Sequence, residues 1–230
     1  MHKTSFLLAF LLTAWSLTLS VGAHATPLAV VEKLQNALIT NAGNPDFSER
    51  LETISPTIKE AHDFASIARL VTGRHWRKLE EQQQVEFIDV FTQLSVVTYA
   101  DRFKNLGVSR FTYVETLEQP RNSKKVVSIM TLDSNTDFAE LSDKKELSFE
   151  YILQSKADES ASDLVSNADD WQIINVVVDG ISDLALKRSN YVNILNENGF
   201  EALIEELKQK ISDVQEKASQ EQLETEKVDS

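Results

Sequence analysis

The chain has 230 residues, no Cys, 42% hydrophobic residues and a formal net charge of −13. The absence of Cys excludes a disulfide-stapled domain and a lipoprotein acylated on Cys, so packed hydrophobic residues must supply the stability. The acidic balance argues against nucleic acid as a partner and against unassisted docking on anionic bilayers. The alternative interpretation is that the charge only keeps the protein in solution.

Residues 1–25 have the pattern of a cleavable export signal. A positive charge at Lys3 precedes an apolar stretch that begins at Phe6, and an A-x-A cleavage site ends at Ala25. Thr and Ser interrupt the apolar stretch, which makes it a poor membrane anchor. We expect cleavage after Ala25, leaving a protein in solution on the far side of a membrane, with a single domain over residues 26–212.

The first half of the remaining chain predicts helices. Apolar residues at helical spacing predict a helix over 28–41, a short helix that ends at Ser55, and a third that begins at Pro56 and ends or kinks at Gly73. The longest helix is predicted over 80–103, and its apolar arc is too wide for a helix half in water. This helix must be covered on two sides, by other helices and a sheet or by something other than protein.

From residue 111 the hydrophobic period changes from 3.6 to 2. Alternating apolar residues predict four strands that form an antiparallel meander, at 111–117, 126–132, 147–154 and 171–178. The second and fourth strands are apolar on both faces, which predicts that both sides of this part of the sheet are covered. The acidic connections at 134–145 and 155–169 are predicted to be loops.

The end of the chain returns to a helical pattern. A helix follows Gly180 and stops at Gly199, and a last one continues to Ile211. Residues 213–230 are rich in Glu, Gln, Lys and Ser, which predicts a frayed or disordered tail. The predicted fold class is α+β, a four-stranded antiparallel sheet between N-terminal and C-terminal helices.

No pattern in the chain indicates catalysis, a metal or a cofactor. After the signal only His62 and His75 remain, and neither has a second ligand at metal spacing. There is no G-x-S-x-G, no G-x-G-x-x-G and no Walker A sequence. We predict no catalytic residues, and an exported hydrolase is the weaker alternative.

A basic cluster departs from the acidic background. It lies within ten residues and is interleaved with apolar side chains: Arg69, Arg74, Arg77 and Lys78. Such a cluster suits an anionic headgroup at the mouth of an apolar site. The alternative is that the Arg side chains pair with Glu80, Glu81 and other acidic residues at a helix end.

The segment FASIARLVTGRHWRKLEEQQQVEFIDVFTQLSVVTYADRF resembles the signature of MlaC-type proteins, also called toluene-tolerance periplasmic proteins. The shared positions there are Phe64, Ala68, Gly73, Trp76, Gln84, Phe87, Phe91, Leu94, Tyr99 and Phe103, and they continue with Trp171, Ile173, Gly180, Ser182, Arg188 and Gly199. Each motif is degenerate, but their order and spacing together are fairly specific. The resemblance covers most of the chain after the signal.

The resemblance implies a twisted antiparallel sheet wrapped by helices around an apolar cavity. It also implies a periplasmic carrier, without a cofactor, that moves phospholipid between an inner-membrane ABC transporter complex and an outer-membrane lipid-handling complex. Residues 181–189 look closer to the branch named for hopanoid biosynthesis, the HpnM-like proteins, which makes a hopanoid-like lipid the alternative ligand. The alternative function is a lipid-free periplasmic adaptor that docks onto a membrane complex.

Candidate lipid-binding residues are apolar or aromatic positions on the long helix and the strands. They are Trp76, Phe87, Phe91, Leu94, Tyr99, Phe103, Val127, Ile129, Trp171, Ile173 and Val176. Arg74 and Lys78 are the candidates for the lipid headgroup. The apolar pattern alone favours a closed core over a cavity, and the resemblance reverses that preference.

Overall fold

A computed structural model describes residues 25–132, 145–155 and 171–228, with side chains as far as residue 224. The predicted signal and the two predicted loops lie outside these described residues, apart from residues 25, 145 and 155. Within the described chain the fold is α+β, with six α-helices and a five-stranded antiparallel sheet, and the predicted fold class is confirmed.

Three capped helices open the fold: α1 (Pro27–Asn41), α2 (Phe47–Ala61) and α3 (Phe64–Thr72). Side chains of Thr26, Asp46 and Asp63 accept hydrogen bonds from backbone N–H groups in the first turn of each helix.

The predicted helix boundary at Ser55 and Pro56 is wrong, because α2 continues through Pro56 and the break falls at His62. Ile54 and Ile58 are both buried, and that apolar stripe favours one continuous helix despite the hydrogen bond that Pro56 cannot donate.

The longest helix forms the centre of the helical layer. A 3₁₀ helix (Gly73–Lys78) leads into α4 (Glu81–Arg102), whose start is fixed by a capping box between Glu80 and Gln83. Helix α4 packs against α2 and α3, and the last helix lies along it. This arrangement provides the coverage on more than one side that its wide apolar arc requires.

The sheet follows chain order, and every neighbouring pair is antiparallel. Its strands are β1 (Arg110–Gln119), β2 (Ser123–Thr131), β3 (Glu146–Ser155), β4 (Trp171–Val178) and β5 (Ile181–Ser182). The prediction of four strands missed β5, because two residues are too short to show a period. The face toward the helices carries the buried side chains, such as Met130 on β2 and Phe149 on β3.

Two helices close the chain, α5 (Asp183–Glu197) and α6 (Gly199–Val228). The structure differs from the predicted frayed or disordered tail over 213–230, because α6 continues through that stretch as far as residue 228. Ala218 is buried and Lys104 binds Glu221, so tertiary contacts order a sequence that is too polar to order itself. None of the helices in the described ranges is both long enough and apolar enough to traverse a bilayer.

Candidate functional site

A cavity of about 640 Å³ lies between the helices and the inner face of the sheet. Six elements supply its walls: α3, α4, β3, β4, α5 and α6. The greater part of its lining is apolar, including Phe64 and Ile67 from α3, Phe149 from β3 and Val178 from β4. Both its size and its largely apolar walls are typical of ligand sites.

A second depression, of about 440 Å³, lies between the start of α4 and α6. Glu80, Glu86, Glu201 and Glu205 are among the side chains around it. Carboxylates on several sides of a shallow depression suit solvent better than an apolar guest. The larger cavity is therefore the candidate site.

Six of the eleven predicted lipid-binding residues line the cavity. They are Phe91, Leu94, Tyr99, Phe103, Ile173 and Val176. Phe91, Leu94 and Tyr99 lie along α4, Phe103 directly follows its last residue, and the last two come from β4. The structure thus brings together most of the predicted residues of the long helix, while lipid contact by each of them stays a prediction.

Val127 and Ile129 lie on the opposite face of the sheet. They alternate along β2 with Val126, Ser128 and Met130, which are buried against the helices. Successive side chains of a strand point to opposite faces, so Val127 and Ile129 cannot reach the cavity. The structure therefore places both residues outside the cavity lining.

Three aromatic candidates also lie away from the cavity lining. Phe87 is fully buried, stacked on Phe91 with ring centroids 5.8 Å apart and edge-on to Tyr191 at 6.1 Å, so it belongs to the packed core. Trp171 lies beneath Lys124, whose Nζ is 5.3 Å from the ring centroid. Trp76 is part of the 3₁₀ helix, and its carbonyl accepts a hydrogen bond from Gln84.

The two predicted headgroup residues are not part of the lining either. Arg74 donates to Oδ1 of Asn196 on α5 at 3.2 Å, and Lys78 ends the 3₁₀ helix. Arg74 bonds to this amide, not to Glu80 or Glu81 as the alternative interpretation expected. Cations do reach the cavity, but from other elements.

Six charged residues, three of each sign, line the solvent side of the cavity: Asp101, Arg102, Asp183, Lys187, Lys210 and Asp213. Lys187 forms an ion pair with Asp183, and Lys210 binds Glu206 at 2.7 Å. A mixed array of this kind can face the phosphate and the ammonium of a zwitterionic headgroup together.

The sequence interpretation missed the lining residues of α5 and α6. They include Leu184, Leu186 and Tyr191 on α5 and Val214 on α6. The sequence did contain one indication of a lining residue on α5. Leu186 lies off the apolar stripe that Leu184, Tyr191 and Leu195 form, and it is exposed in the structure.

A polar cluster is embedded in the cavity wall around His62. Its Nδ1 lies 2.8 Å from the carbonyl oxygen of Ile58, which can only accept, so Nδ1 carries the proton. Nε2 therefore accepts a hydrogen bond from the hydroxyl of Tyr99 at 3.1 Å. Nearby, Nε2 of Gln35 donates to the hydroxyl of Tyr151 at 3.3 Å.

Burial keeps this cluster uncharged. It lowers the pKa of His62 to about 4 and raises the pKa of Tyr99 and of Tyr151 well above the usual value. The cavity wall therefore carries no charge at neutral pH at these three positions. An uncharged wall is compatible with acyl chains or another apolar guest.

The lining offers little to a reaction. His62 is bonded to a carbonyl and a phenol, and in the described ranges no three His, Cys, Asp or Glu side chains lie close enough together to hold a metal. The site is a binding cavity with charged side chains at its rim and uncharged side chains inside.

Comparison with known proteins agrees with this geometry. Residues 29–209 match the model of the family described as MlaC protein. A solved structure of the phospholipid-binding protein from Ralstonia solanacearum, in complex with a phospholipid, shares the fold with a TM-score of 0.64. The two proteins are 16% identical over 83% of this chain and 99% of that chain. No curated protein matches the chain.

The family match extends over most of the chain and confirms the resemblance found in the sequence. MlaC proteins are lipid-binding carriers and not enzymes. With its sheet, its wrapping helices and the cavity between them, this chain belongs to the MlaC family.

Proposed function

We propose that this protein is a periplasmic carrier that holds a phospholipid in the cavity between the sheet and the helices. The observation that carries the proposal is the largely apolar cavity of about 640 Å³ in a chain of the MlaC family. The phospholipid bound by the Ralstonia solanacearum protein of the same fold supports the choice of ligand. A hopanoid-like lipid is the alternative ligand.

The physical need for a carrier follows from the cost of exposing lipid to water. A lipid with two long chains has on the order of 30 methylenes, and at ~0.8 kcal/mol each their exposure costs roughly 20–25 kcal/mol. Such a molecule crosses an aqueous compartment only if an apolar environment moves with it. The walls formed by Phe91, Leu94, Phe149 and Val176 would supply that environment.

The headgroup would remain at the rim, where Arg102, Lys187 and Lys210 can approach a phosphate. These side chains replace Arg74 and Lys78 as candidates because they line the cavity. Lys187 and Lys210 already have carboxylate partners, so Arg102 is the candidate we place first.

The proposal includes export and two partners. The signal over residues 1–25 would be removed after Ala25, so that the carrier begins at Thr26, whose side chain caps α1. An ABC transporter complex of the inner membrane and a lipid-handling complex of the outer membrane would exchange lipid with it. The alternative function, a lipid-free adaptor, would need the same export and docking but no guest.

Lipid extraction separates the carrier from the adaptor. The full gene is expressed with its signal, the exported protein is purified without detergent, and organic extracts are analysed by mass spectrometry. We expect a phospholipid in near-stoichiometric amount and an intact protein mass that begins at Thr26. Repeatedly lipid-free extracts would favour the adaptor.

A matched pair of substitutions tests the position of the lipid. Val176 lines the cavity from β4, whereas Val127 lies on the other face of the sheet on β2. Val176→Trp fills the cavity and should reduce lipid occupancy severalfold, whereas Val127→Trp should leave occupancy unchanged. Equal occupancy in the two variants would place the lipid elsewhere.

A further inference from the structure

The part of α6 after residue 209 contributes to the cavity although it lies beyond the residues that the family model matches. The match ends at residue 209, and Lys210, Asp213 and Val214 follow it directly and line the cavity. The helix then continues to Val228. Part of the cavity wall is thus formed by a segment that the family model does not cover.

Several polar contacts hold this segment to the rest of the protein. Lys104 follows the end of α4. Its Nζ lies 2.6 Å from Oε2 of Glu221 on α6 and 3.0 Å from Oδ1 of Asp101 in the last turn of α4. Lys217 lies 3.8 Å from both carboxylates. We call these four residues the clasp. It is supported by Gln222, whose Nε2 donates to the carbonyl of Pro45 at 3.3 Å.

The clasp is placed where an ion pair is only weakly screened. The side chain of Lys104 is 11% exposed and that of Asp101 17%. Burial disfavours the charge of Lys104, but its hydrogen bonds to Glu221 and Asp101 outweigh that effect, so its pKa is raised. Removing one partner would leave a carboxylate poorly solvated, which costs more than breaking a surface pair.

Apolar contacts alone hold the segment weakly. Of the apolar residues in 210–224, Ala218 is buried, Ile211 and Val214 are half-buried against the core, and Leu223 is exposed. A helix with so little buried apolar surface opens locally at a low free-energy cost, so the clasp decides how often its end separates from α4.

We propose that residues 210–224 of α6 form a closing wall of the cavity, and that the clasp of Asp101, Lys104, Lys217 and Glu221 determines how fast a bound lipid leaves. This inference rests on the proposed function, since it assigns to one segment the control of lipid release. When the segment separates from α4, the cavity loses the side chains of Asp213 and Val214 and opens to solvent on that side.

The test compares two lysines that join the same two helices. Lys104→Gln removes the centre of the clasp. Lys208→Gln is the matched control, because Lys208 on α6 binds Glu86 on α4 at 3.0 Å, but in a pair whose side chains are 58% and 44% exposed and outside the lining. Glu221→Gln breaks the clasp from its more exposed side, in case Lys104→Gln fails to fold.

Two measurements are made on each full-length variant. Hydrogen exchange of amides 213–224 reports the opening of the helix end, whether or not lipid is bound. Transfer of a fluorescent phospholipid from the loaded protein to phosphatidylcholine vesicles reports release. We expect Lys104→Gln and Glu221→Gln to exchange these amides faster and to release the phospholipid about tenfold faster, which corresponds to ~1.4 kcal/mol. Lys208→Gln should stay within about twofold of the unsubstituted protein in both measurements.

Each of the remaining outcomes contradicts one part of the proposal. Faster amide exchange with unchanged release would mean that the segment opens without gating the lipid. Unchanged exchange in both clasp variants would mean that the clasp does not hold the segment, and equal acceleration in Lys208→Gln would indicate general destabilisation. A protein that neither carries nor takes up phospholipid rejects the proposed function itself, and the closing wall with it.

Discussion

His62 accepts a hydrogen bond from the hydroxyl of Tyr99 at 3.1 Å, and this pair joins the end of α2 to the middle of the cavity wall. The bond requires a neutral imidazole, because Nδ1 already donates to the carbonyl of Ile58 and a protonated Nε2 would face a phenol that ordinarily donates. The wall of the cavity thus contains a group whose ordinary pKa lies near neutrality and whose charge the fold opposes.

This relationship predicts a loss of stability in mild acid. The folded pKa of His62 is about 4, below its ordinary value of 6.5, so the unfolded chain binds the proton more tightly. Stability is unaffected above pH 6.5 and falls as the pH is lowered from there toward 4. At pH 5 the loss attributable to His62 is about 2 kcal/mol relative to pH 7.5.

Urea denaturation at several pH values, with the protein and its His62→Gln variant side by side, measures this loss. Carboxylates elsewhere titrate in both proteins and cancel in the difference, and the charges of Asp183 and Lys187, which act on His62, are present in both. The difference in unfolding free energy should shrink by about 2 kcal/mol between pH 7.5 and 5. A difference independent of pH would show that His62 is not held neutral.

Tyr99→Phe isolates the hydrogen bond from the ring. The variant keeps the ring stacked on Phe103, with centroids 5.6 Å apart, but leaves Nε2 of the buried His62 without its donor. We expect a loss of about 1–3 kcal/mol in the free energy of unfolding at pH 7.5. Tyr113→Phe is the control, because that side chain is exposed and its hydroxyl bonds to the nearby Thr116 at 3.2 Å. Equal losses of unfolding free energy in the two variants would show that the hydroxyl of Tyr99 stabilises the fold no more than an exposed hydroxyl does.

The long helix could be predicted from the sequence because one period describes it. Phe91, Leu94 and Tyr99 follow the helical repeat, and the structure places all three on the cavity. The arc was wider than a packed core needs, and that excess indicated a further contact. The same reasoning could not exclude Phe87 from the cavity lining, because a core residue and a cavity-lining residue occupy the same positions in a periodic pattern.

The strands show why period 2 alone cannot locate the site. Ile173 and Val176 differ in parity, so a regular strand would place them on opposite faces, yet both line the cavity. A bulge resolves the conflict, since the register of β3 with β4 shifts between Ile152 and Leu153. The register of β1 with β2 also shifts beside Val127, but the extra residue lies on β1, between Tyr113 and Glu115. Strand β2 itself stays regular, so Val127 stays on the outer face. The face of the sheet that a side chain takes depends on how the strands pair, and the local sequence does not show that pairing.

The end of α6 was beyond prediction for a different reason. Its composition is that of a disordered segment, and its order depends on partners distant in sequence: Lys104 for Glu221, and Pro45 for Gln222. Long-range polar contacts leave no periodic trace.

Gly73 provides a test of the junction between α3 and α5. Its φ of 58° and ψ of −127° lie in a region that side chains avoid, and a Cβ there would meet Nη2 of Arg188 at 3.1 Å. Gly73→Ala should therefore lower the free energy of unfolding by about 1–3 kcal/mol. Gly43→Ala shares a positive φ but meets nothing within 4 Å, so it should lose less. Thermal unfolding of the two variants measures the difference, and the reverse order would contradict the assignment.

Substituting a carboxylate for Leu94 or for Phe87 would distinguish the cavity wall from the core most sharply. Both belong to α4, two turns apart, but Leu94 lines the cavity and Phe87 is 0% exposed within the aromatic cluster. A carboxylate at Leu94 can be hydrated by water that enters the cavity, whereas one at Phe87 has only packed side chains around it. Leu94→Asp should therefore fold with a modest loss of stability while its lipid occupancy falls at least severalfold.

Phe87→Asp should lose stability by several kcal/mol, since it removes a large buried ring and adds an unpaired charge. Circular dichroism with urea denaturation measures the first quantity, and lipid extraction with mass spectrometry measures the second. If Leu94→Asp unfolds as readily as Phe87→Asp, Leu94 is ordinary core and the guest does not reach that part of α4. If Leu94→Asp folds and keeps its lipid, the acyl chains lie nearer to β4 than to the helix.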